Sequence, residues 1–158
     1  MMELWDAYDG EFQKIDGLVL ERGKPVPEGV YHLVCEIIVR HTDGTYLLMR
    51  RDPRKHLGGK WELTAGGSAL KGENAWECAS RELREETGIE AKDLTELGKT
   101  VHEDHRTVYA EYLCVTDCEK ESIILQKEET IAYKWISKEE LCNMNVSELA
   151  ATRTLRFI

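Results

Sequence analysis

Residues Gly67 to Ile89 read GSALKGENAWECASRELREETGI, and nine positions in this stretch constrain the chain most: Gly67, Glu73, Arg81, Glu82, Leu83, Glu85, Glu86, Gly88 and Ile89. Asn74, followed three residues on by Glu77, forms a capping box and starts a helix. Ala75, Ala79 and Leu83 share one stripe at spacing four, the face that packs on a sheet. Gly88 supplies a left-handed C-cap, and Ile89 turns the chain back to the core. On this helix Glu82, Glu85 and Glu86 lie at i, i+3 and i+4 and crowd one face, beside a glycine turn at Gly67. Like charges at that spacing cost about 0.2–0.5 kcal/mol per pair unless something neutralises them. Carboxylate clusters of this kind hold Mg²⁺ or Mn²⁺, metals that handle phosphates. A solvated acidic helix face is the plain alternative, and the surrounding glycines, Glu73 and Arg81 weigh against it.

The stretch resembles the Nudix box, GX5EX7REUXEEXGU with U aliphatic, at every fixed position. Most proteins with this box are metal-dependent pyrophosphohydrolases that act on a nucleoside diphosphate linked to another group. The resemblance implies a Nudix fold, an α/β sandwich with a mixed β-sheet between helices. It makes Glu82, Glu85, Glu86 and the carbonyl of Gly66 the ligands of Mg²⁺ or Mn²⁺. Gly67 would let the backbone turn so that this carbonyl faces the metal. Glu73 and Arg81 would hold the loop to the helix, so they and Gly88 are structural. Glu85 and a glutamate on the loop before the Trp135 strand would serve catalysis. Glu129 is the first choice on that loop and Glu128 the second, each a candidate to orient or deprotonate the attacking water. Arg50 and Arg51, with Arg54 and Lys55 beyond them, form a basic loop that could bind substrate phosphates.

The 158 residues predict one domain, with 42% hydrophobic and 32% charged residues as in an ordinary globular protein. A net charge of −9 argues against a nucleic-acid backbone or an anionic membrane as partner. The five cysteines are odd in number, contain no C-x-x-C and follow no secretory signal. Reduced thiols in a cytoplasmic protein are the expectation. No run is long and apolar enough to span a membrane.

Along the chain, residues 1–24 read as two short strands or one hairpin at the sheet edge. Tyr31 to Arg40 reads as a buried strand, Asp43-Gly44 as a hairpin turn, and Thr45 to Met49 as its partner. Arg50 to Lys60 reads as a polar loop, and Trp61 to Thr64 as a short strand leading into the glycines. Leu97 to Val101, Val108 to Val115 and Ala132 to Ile136 read as strands. Ser137 with Glu140 caps a short helix. Val146 to Phe157 suggests a C-terminal helix.

Two features set this chain apart within the resemblance. Ala65 stands where many relatives have proline before the two glycines. Glu3-Leu-Trp-Asp, Pro25-Val-Pro-Glu-Gly and Tyr31-His-Leu-Val also resemble a subgroup described as similar to isopentenyl-diphosphate isomerase. That isomerase uses a cysteine in the turn before the helix and a histidine-rich metal site. Here the turn holds Ala65, Gly66, Gly67 and Ser68, which favours hydrolysis over isomerisation. A non-catalytic nucleotide-binding module is the other alternative, and the intact carboxylates count against it. The resemblance implies a small-molecule diphosphate substrate, first of all a nucleoside diphosphate derivative, with a dinucleotide, nucleotide sugar, damaged nucleoside triphosphate or prenyl diphosphate all open. Trp5, Tyr8, Tyr31, Tyr109 and Tyr112 are candidates to stack a base, though aromatics at strand spacing are more often core. His102 to Arg106 is a polar turn that could line the pocket. Many relatives pair, which suggests a homodimer.

Overall fold

The computed structural model describes residues 2–158. Strands β1 (Leu4–Tyr8) and β2 (Lys14–Glu21) pair with each other as an antiparallel hairpin. They form a two-stranded sheet of their own instead of an edge of the main sheet. The physical reason is that the hairpin has its own small core, built on Trp5, Ala7 and Leu20. One strand-like bridge, Tyr8 to Tyr31 with two 2.8 Å backbone hydrogen bonds, ties it to the rest, together with the Lys71 N–H donating to the Leu4 carbonyl at 2.9 Å and the Gly72 N–H to Asp6 Oδ2 at 2.8 Å. Trp5 stacks on the His32 ring at 4.1 Å.

The main sheet holds β3 (His32–His41), β4 (Tyr46–Arg51), β5 (Trp61–Glu62), β6 (Thr64–Ser68), β7 (Thr95–His102), β8 (Thr107–Thr116) and β9 (Thr130–Ile136). Its order is β5-β4-β3-β8-β7, with β6 also on β3 and β9 also on β4. β3 and β8 run parallel and every other pair is antiparallel, so the sheet is mixed. A parallel pair needs a crossover, and α1 (Ala75–Thr87) lies within it. Asp43 and Gly44 make the predicted turn, with Gly44 at φ 93° and Asp43 Oδ1 accepting from the Thr45 N–H at 3.0 Å. β3 and β4 share only the Arg40–Tyr46 pair. Beyond it β3 takes β6 as partner and β4 takes β9. Arg50 and Arg51, read as loop from the sequence, are the last two residues of β4 because β5 and β9 extend its ladder.

β3 faces two cores. Leu33, Cys35, Ile37 and Val39 meet Cys78, Ala79 and Leu83 of α1. Ile38 joins Leu48, Leu63, Ile136 and Leu141 on the other side, under α2 (Lys138–Asn143). The period-two alternation of a strand places these two sets on opposite faces. Both predicted capping boxes are present, Asn74 with Glu77 and Ser137 with Glu140.

The expected helix over Val146 to Phe157 does not form. Two 3₁₀ turns, Val146–Glu148 and Arg153–Phe157, stand in its place. Leu149 bridges to Trp61 in parallel, and the Ala150 N–H donates to the Trp61 carbonyl at 2.8 Å. That extended strap along β5 competes with a helix, and β-branched Val146, Thr152 and Thr154 lower the helical alternative further. Leu155, Phe157 and Ile158 then pack on the second core.

All five cysteines are free thiols: Cys35, Cys78 and Cys114 are buried, Cys118 is half-buried and Cys142 is exposed. Among the described residues no helix is long and apolar enough to cross a membrane.

Candidate active site

The site is built where the last turns of α1 meet the outer edge of β6. The β3–β6 register sets Cys35 opposite Gly67 and Glu36 opposite Gly66. The Ala69 N–H donates to the Leu33 carbonyl at 2.9 Å, so Leu33, Cys35 and Ile37 occupy the hydrogen-bonded positions of the ladder. Gly66 falls at the alternate position, where both N–H and C=O point away from the partner strand. Its N–H donates to Glu86 Oε2 at 2.6 Å. Its carbonyl therefore faces the same side as the helix carboxylates.

Gly67 is not in a turn. It lies inside β6, and neither Gly66 nor Gly67 has a positive φ. The glycine requirement is one of close approach. A Cβ on Gly67 would sit 2.6 Å from Glu82 Oε1, and one on Gly66 would sit 2.0 Å from the Cys35 carbonyl oxygen. Gly88 does what its sequence position suggests: φ is 81°, and its N–H caps Arg84 at 2.9 Å.

Arg81 is the hub of the loop. Its Nε donates to Glu73 Oε2 at 2.6 Å and its Nη2 to Glu73 Oε1 at 2.9 Å and to the Ser68 carbonyl at 3.1 Å. Its Nη1 donates to Glu82 Oε1 at 2.9 Å and to Glu85 Oε2 at 3.1 Å. Glu73 Oε1 also accepts the Leu70 N–H at 2.8 Å. Burial alone would raise the Glu73 pKa, but these donors outweigh it and hold the carboxyl below its usual value.

Glu86 is different. Burial pushes its pKa up to about 8; the Gly66 N–H opposes this, and the nearby Glu82 and Glu62 add to it. Burial also raises Glu82, against the pull of Arg81. Among the described residues no three acids, histidines or cysteines already converge at metal-ligating distance. Glu82 leans on Arg81 and Glu86 on Gly66. The donors available at this edge are oxygens alone, which is the set that Mg²⁺ and Mn²⁺ take. A dication would also relieve the mutual repulsion of the acids.

These groups line one cavity of about 600 Å³. Gly66, Gly67, Glu82, Glu85, Glu86 and Glu129 all face it. Glu129 is ion-paired to Lys55, and its carbonyl accepts the Asp52 N–H at 2.9 Å. Glu128 is exposed, has φ 69° and does not line the cavity, so of the two loop glutamates only Glu129 is placed to act there. The arginines also separate. Arg51 lines the cavity, ion-paired to Glu62 and donating from Nε to the His56 carbonyl at 2.8 Å. Arg50, one strand position earlier, points to the opposite face, is exposed, and donates to the Gly59 carbonyl at 3.0 Å. It is not at the cavity. Arg54 is spent on Asp52, while Lys55 is at the cavity wall.

Of the five candidate aromatics only Tyr109 lines the cavity. The 102–106 turn lies elsewhere; its Glu103 accepts the Tyr31 hydroxyl at 2.7 Å. Sequence reasoning missed Glu36, Glu62, Arg22 and Arg153, all at the cavity. A signal existed for Glu36, a lone carboxylate inside the apolar run of β3. Nothing in the sequence singled out Arg153, because it reaches the site from a segment read as helix.

A family model for the NUDIX domain matches residues 30–155. An uncharacterized Nudix hydrolase of Listeria monocytogenes is 33% identical over 142 residues, covering 89% of this chain and 83% of its own. The nucleoside triphosphatase NudI of Escherichia coli is 34% identical over 137 residues, covering 78% and 93%. Among solved structures, a protein of Deinococcus radiodurans superposes with a TM-score of 0.74 at 21% identity, over 97% of this chain and 94% of that one. A MutT protein of Methanosarcina mazei gives a TM-score of 0.64 at 26% identity, over 80% and 90%. With the complete box on α1 and β6, the matched domain and these relatives, the chain belongs to the Nudix hydrolase family.

Proposed function

We propose that this cavity hydrolyses a diphosphate link in a nucleoside triphosphate or another nucleoside diphosphate derivative, with Mg²⁺ or Mn²⁺ held by Glu82, Glu85, Glu86 and the Gly66 carbonyl. The observation that carries the reading is Glu86, a buried acid with a raised pKa whose neighbours Glu82 and Glu62 are also acids. Such a group is far better ionised beside a dication than without one. When bound, the metal neutralises charge on the diphosphate and lowers the pKa of a water.

The chain's own groups supply the rest. Glu129 lines the same cavity as the helix acids, and its role in this reading is to orient the attacking water and take its proton. Lys55 fixes that carboxylate. Arg51 and Lys55 present cations to the phosphates, each already steadied by a carboxylate partner. Arg81 and Glu73 hold β6, the loop and the helix in one piece, so Glu82 and Glu85 keep their places. Water attacks phosphorus, the bridging P–O bond breaks, and the departing phosphate carries the electron pair.

The isomerase-like resemblance of residues 3–6, 25–29 and 31–34 falls on the hairpin, the loop after it and the start of β3. None of it adds a cysteine or histidine to the cavity wall, so it supports hydrolysis of a diphosphate and not double-bond migration. Free thiols fit a reducing, cytoplasmic setting, and a small-molecule substrate fits a cavity of this size and mixed charge. A homodimer remains the expectation from relatives.

The test is incubation of the protein with a panel of nucleoside triphosphates, nucleotide sugars, dinucleotides and isopentenyl diphosphate, with Mg²⁺, Mn²⁺ or EDTA, and product analysis by mass spectrometry. Metal-dependent cleavage of a nucleotide supports the reading. Metal-dependent isomerisation, or binding without cleavage, overturns it.

A further inference from the structure

The same cavity holds a second arrangement of charged groups, carried by β3, β8 and the C-terminal segment. Arg153 Nε donates to Glu36 Oε1 at 3.2 Å, and Nη2 donates to Oε2 at 2.5 Å. The same guanidinium lies 3.9 Å from the centroid of the Tyr109 ring. Two independent contacts thus fix its plane. All three residues line the cavity. The Glu36 side chain is 11% exposed, whereas that of Arg153 keeps 30%. Two of the five N–H groups of Arg153 serve Glu36, which leaves three donors for another partner.

Position follows from the sheet. Glu36 is directly opposite Gly66 on β6, and Tyr109 is on β8, the next strand beyond β3. Arg153, held by Glu36 on β3 and by Tyr109 on β8, therefore lies one to two strand spacings from β6, about 5–10 Å. A substrate whose diphosphate is at Gly66 and Glu86 reaches it with the group attached beyond the phosphates.

Charge decides what that group is. Arg153 is neutralised by Glu36, and the neighbouring Glu111, 1% exposed and in register with Glu36, is met by Arg156 at 3.0 Å. Two acids against two arginines leave no surplus positive charge to favour a further phosphate. A flat guanidinium backed by an aromatic ring instead suits an uncharged planar ring that stacks and offers acceptors.

We propose that Arg153, seated on Tyr109 and clamped by Glu36, is a specificity-determining residue that binds the nucleobase of the substrate. The proposal rests on the hydrolase reading above and extends it to the moiety that the box does not touch. The segment Arg153–Phe157 is then a wall of the substrate site as well as a cover for the second core.

The experiment compares wild type, Arg153→Lys and Tyr109→Leu on nucleoside triphosphates and on ribose 5-triphosphate, which has no base. Arg153→Lys keeps the charge that Glu36 needs but loses the planar fork. KM for the nucleotides rises about tenfold or more in Arg153→Lys, and the base-free substrate is penalised at least tenfold less. Tyr109→Leu gives the same pattern and carries the test if the lysine variant fails to fold. Equal penalties on both substrates, or a change in kcat alone, overturn the proposal while the hydrolase reading stands. If the wild type cleaves no nucleotide, the hydrolase reading fails instead. Equilibrium titration with a nucleoside diphosphate then decides the base subsite: binding at least tenfold weaker in Arg153→Lys keeps it, and equal binding ends it.

Discussion

Glu86 Oε2 accepts the backbone N–H of Gly66 at 2.6 Å, so the last turn of α1 is tied to the outer edge of β6 by a buried carboxylate. One bond sets helix and strand at the spacing the site needs. It also gives an acid whose ionisation is unfavourable unless a cation comes close.

That acid makes stability depend on pH in a definite direction. Its pKa is raised from 4.5 to about 8, so between those values the folded chain binds a proton that the unfolded chain has lost. The stabilising contribution is complete below about pH 4.5 and is lost as pH rises through about 8. In EDTA, Tm falls across that window by roughly 5 °C or more. Saturating Mg²⁺ removes most of the fall, and metal affinity increases with pH up to about 8. Thermal melts with and without metal check this; a Tm in EDTA independent of pH would contradict it.

Glu129→Gln removes the proposed base while keeping the side-chain size. Turnover drops about 100-fold or more, and KM changes much less. An unchanged rate in steady-state assays would move the role to the acids of α1.

Gly67→Ala places a methyl 2.6 Å from Glu82 Oε1. The clash is with the end of a flexible side chain, so the fold survives and Glu82 swings away. Metal affinity measured by titration falls by roughly tenfold or more, with Tm within a few degrees of wild type. Full affinity would mean that Glu82 is not a ligand.

Glu73→Gln breaks the paired donation from Arg81, whose side chain is 19% exposed. Losing a hydrogen-bonded charge at that site costs about 1–3 kcal/mol of stability. Denaturant unfolding reads this directly. Activity falls in step as Arg81 loses its anchor, and a variant as stable as wild type would remove the structural role of the pair.

The helix and its caps were legible in the sequence because capping is local: Asn74, Glu77 and Gly88 act within a few residues of themselves. So was the strand at Tyr31 to Arg40, whose composition suits burial on both faces. The reason for Gly67 was not legible, since nothing in the sequence places Glu82 against it and a turn was the local reading. Arg50 and Arg51 looked alike in sequence, and only the ladder with β5 and β9 puts them on opposite faces. The C-terminal segment was misread because its backbone partner, Trp61, is about ninety residues away in the chain. With it went Arg153. Long-range pairing, which local patterns do not encode, accounts for each of these.

The most direct measurement is turnover of wild type against Glu86→Gln on one nucleotide substrate in saturating Mg²⁺, with Tm recorded for both. The amide can still accept from Gly66, so the fold remains while the charge is gone. Turnover falls by more than about 100-fold, since the metal supplies several kcal/mol of charge stabilisation, and Tm in EDTA at pH 8 does not fall. A variant that keeps wild-type turnover would show that the reaction does not run through this carboxylate, and the site as described would be wrong.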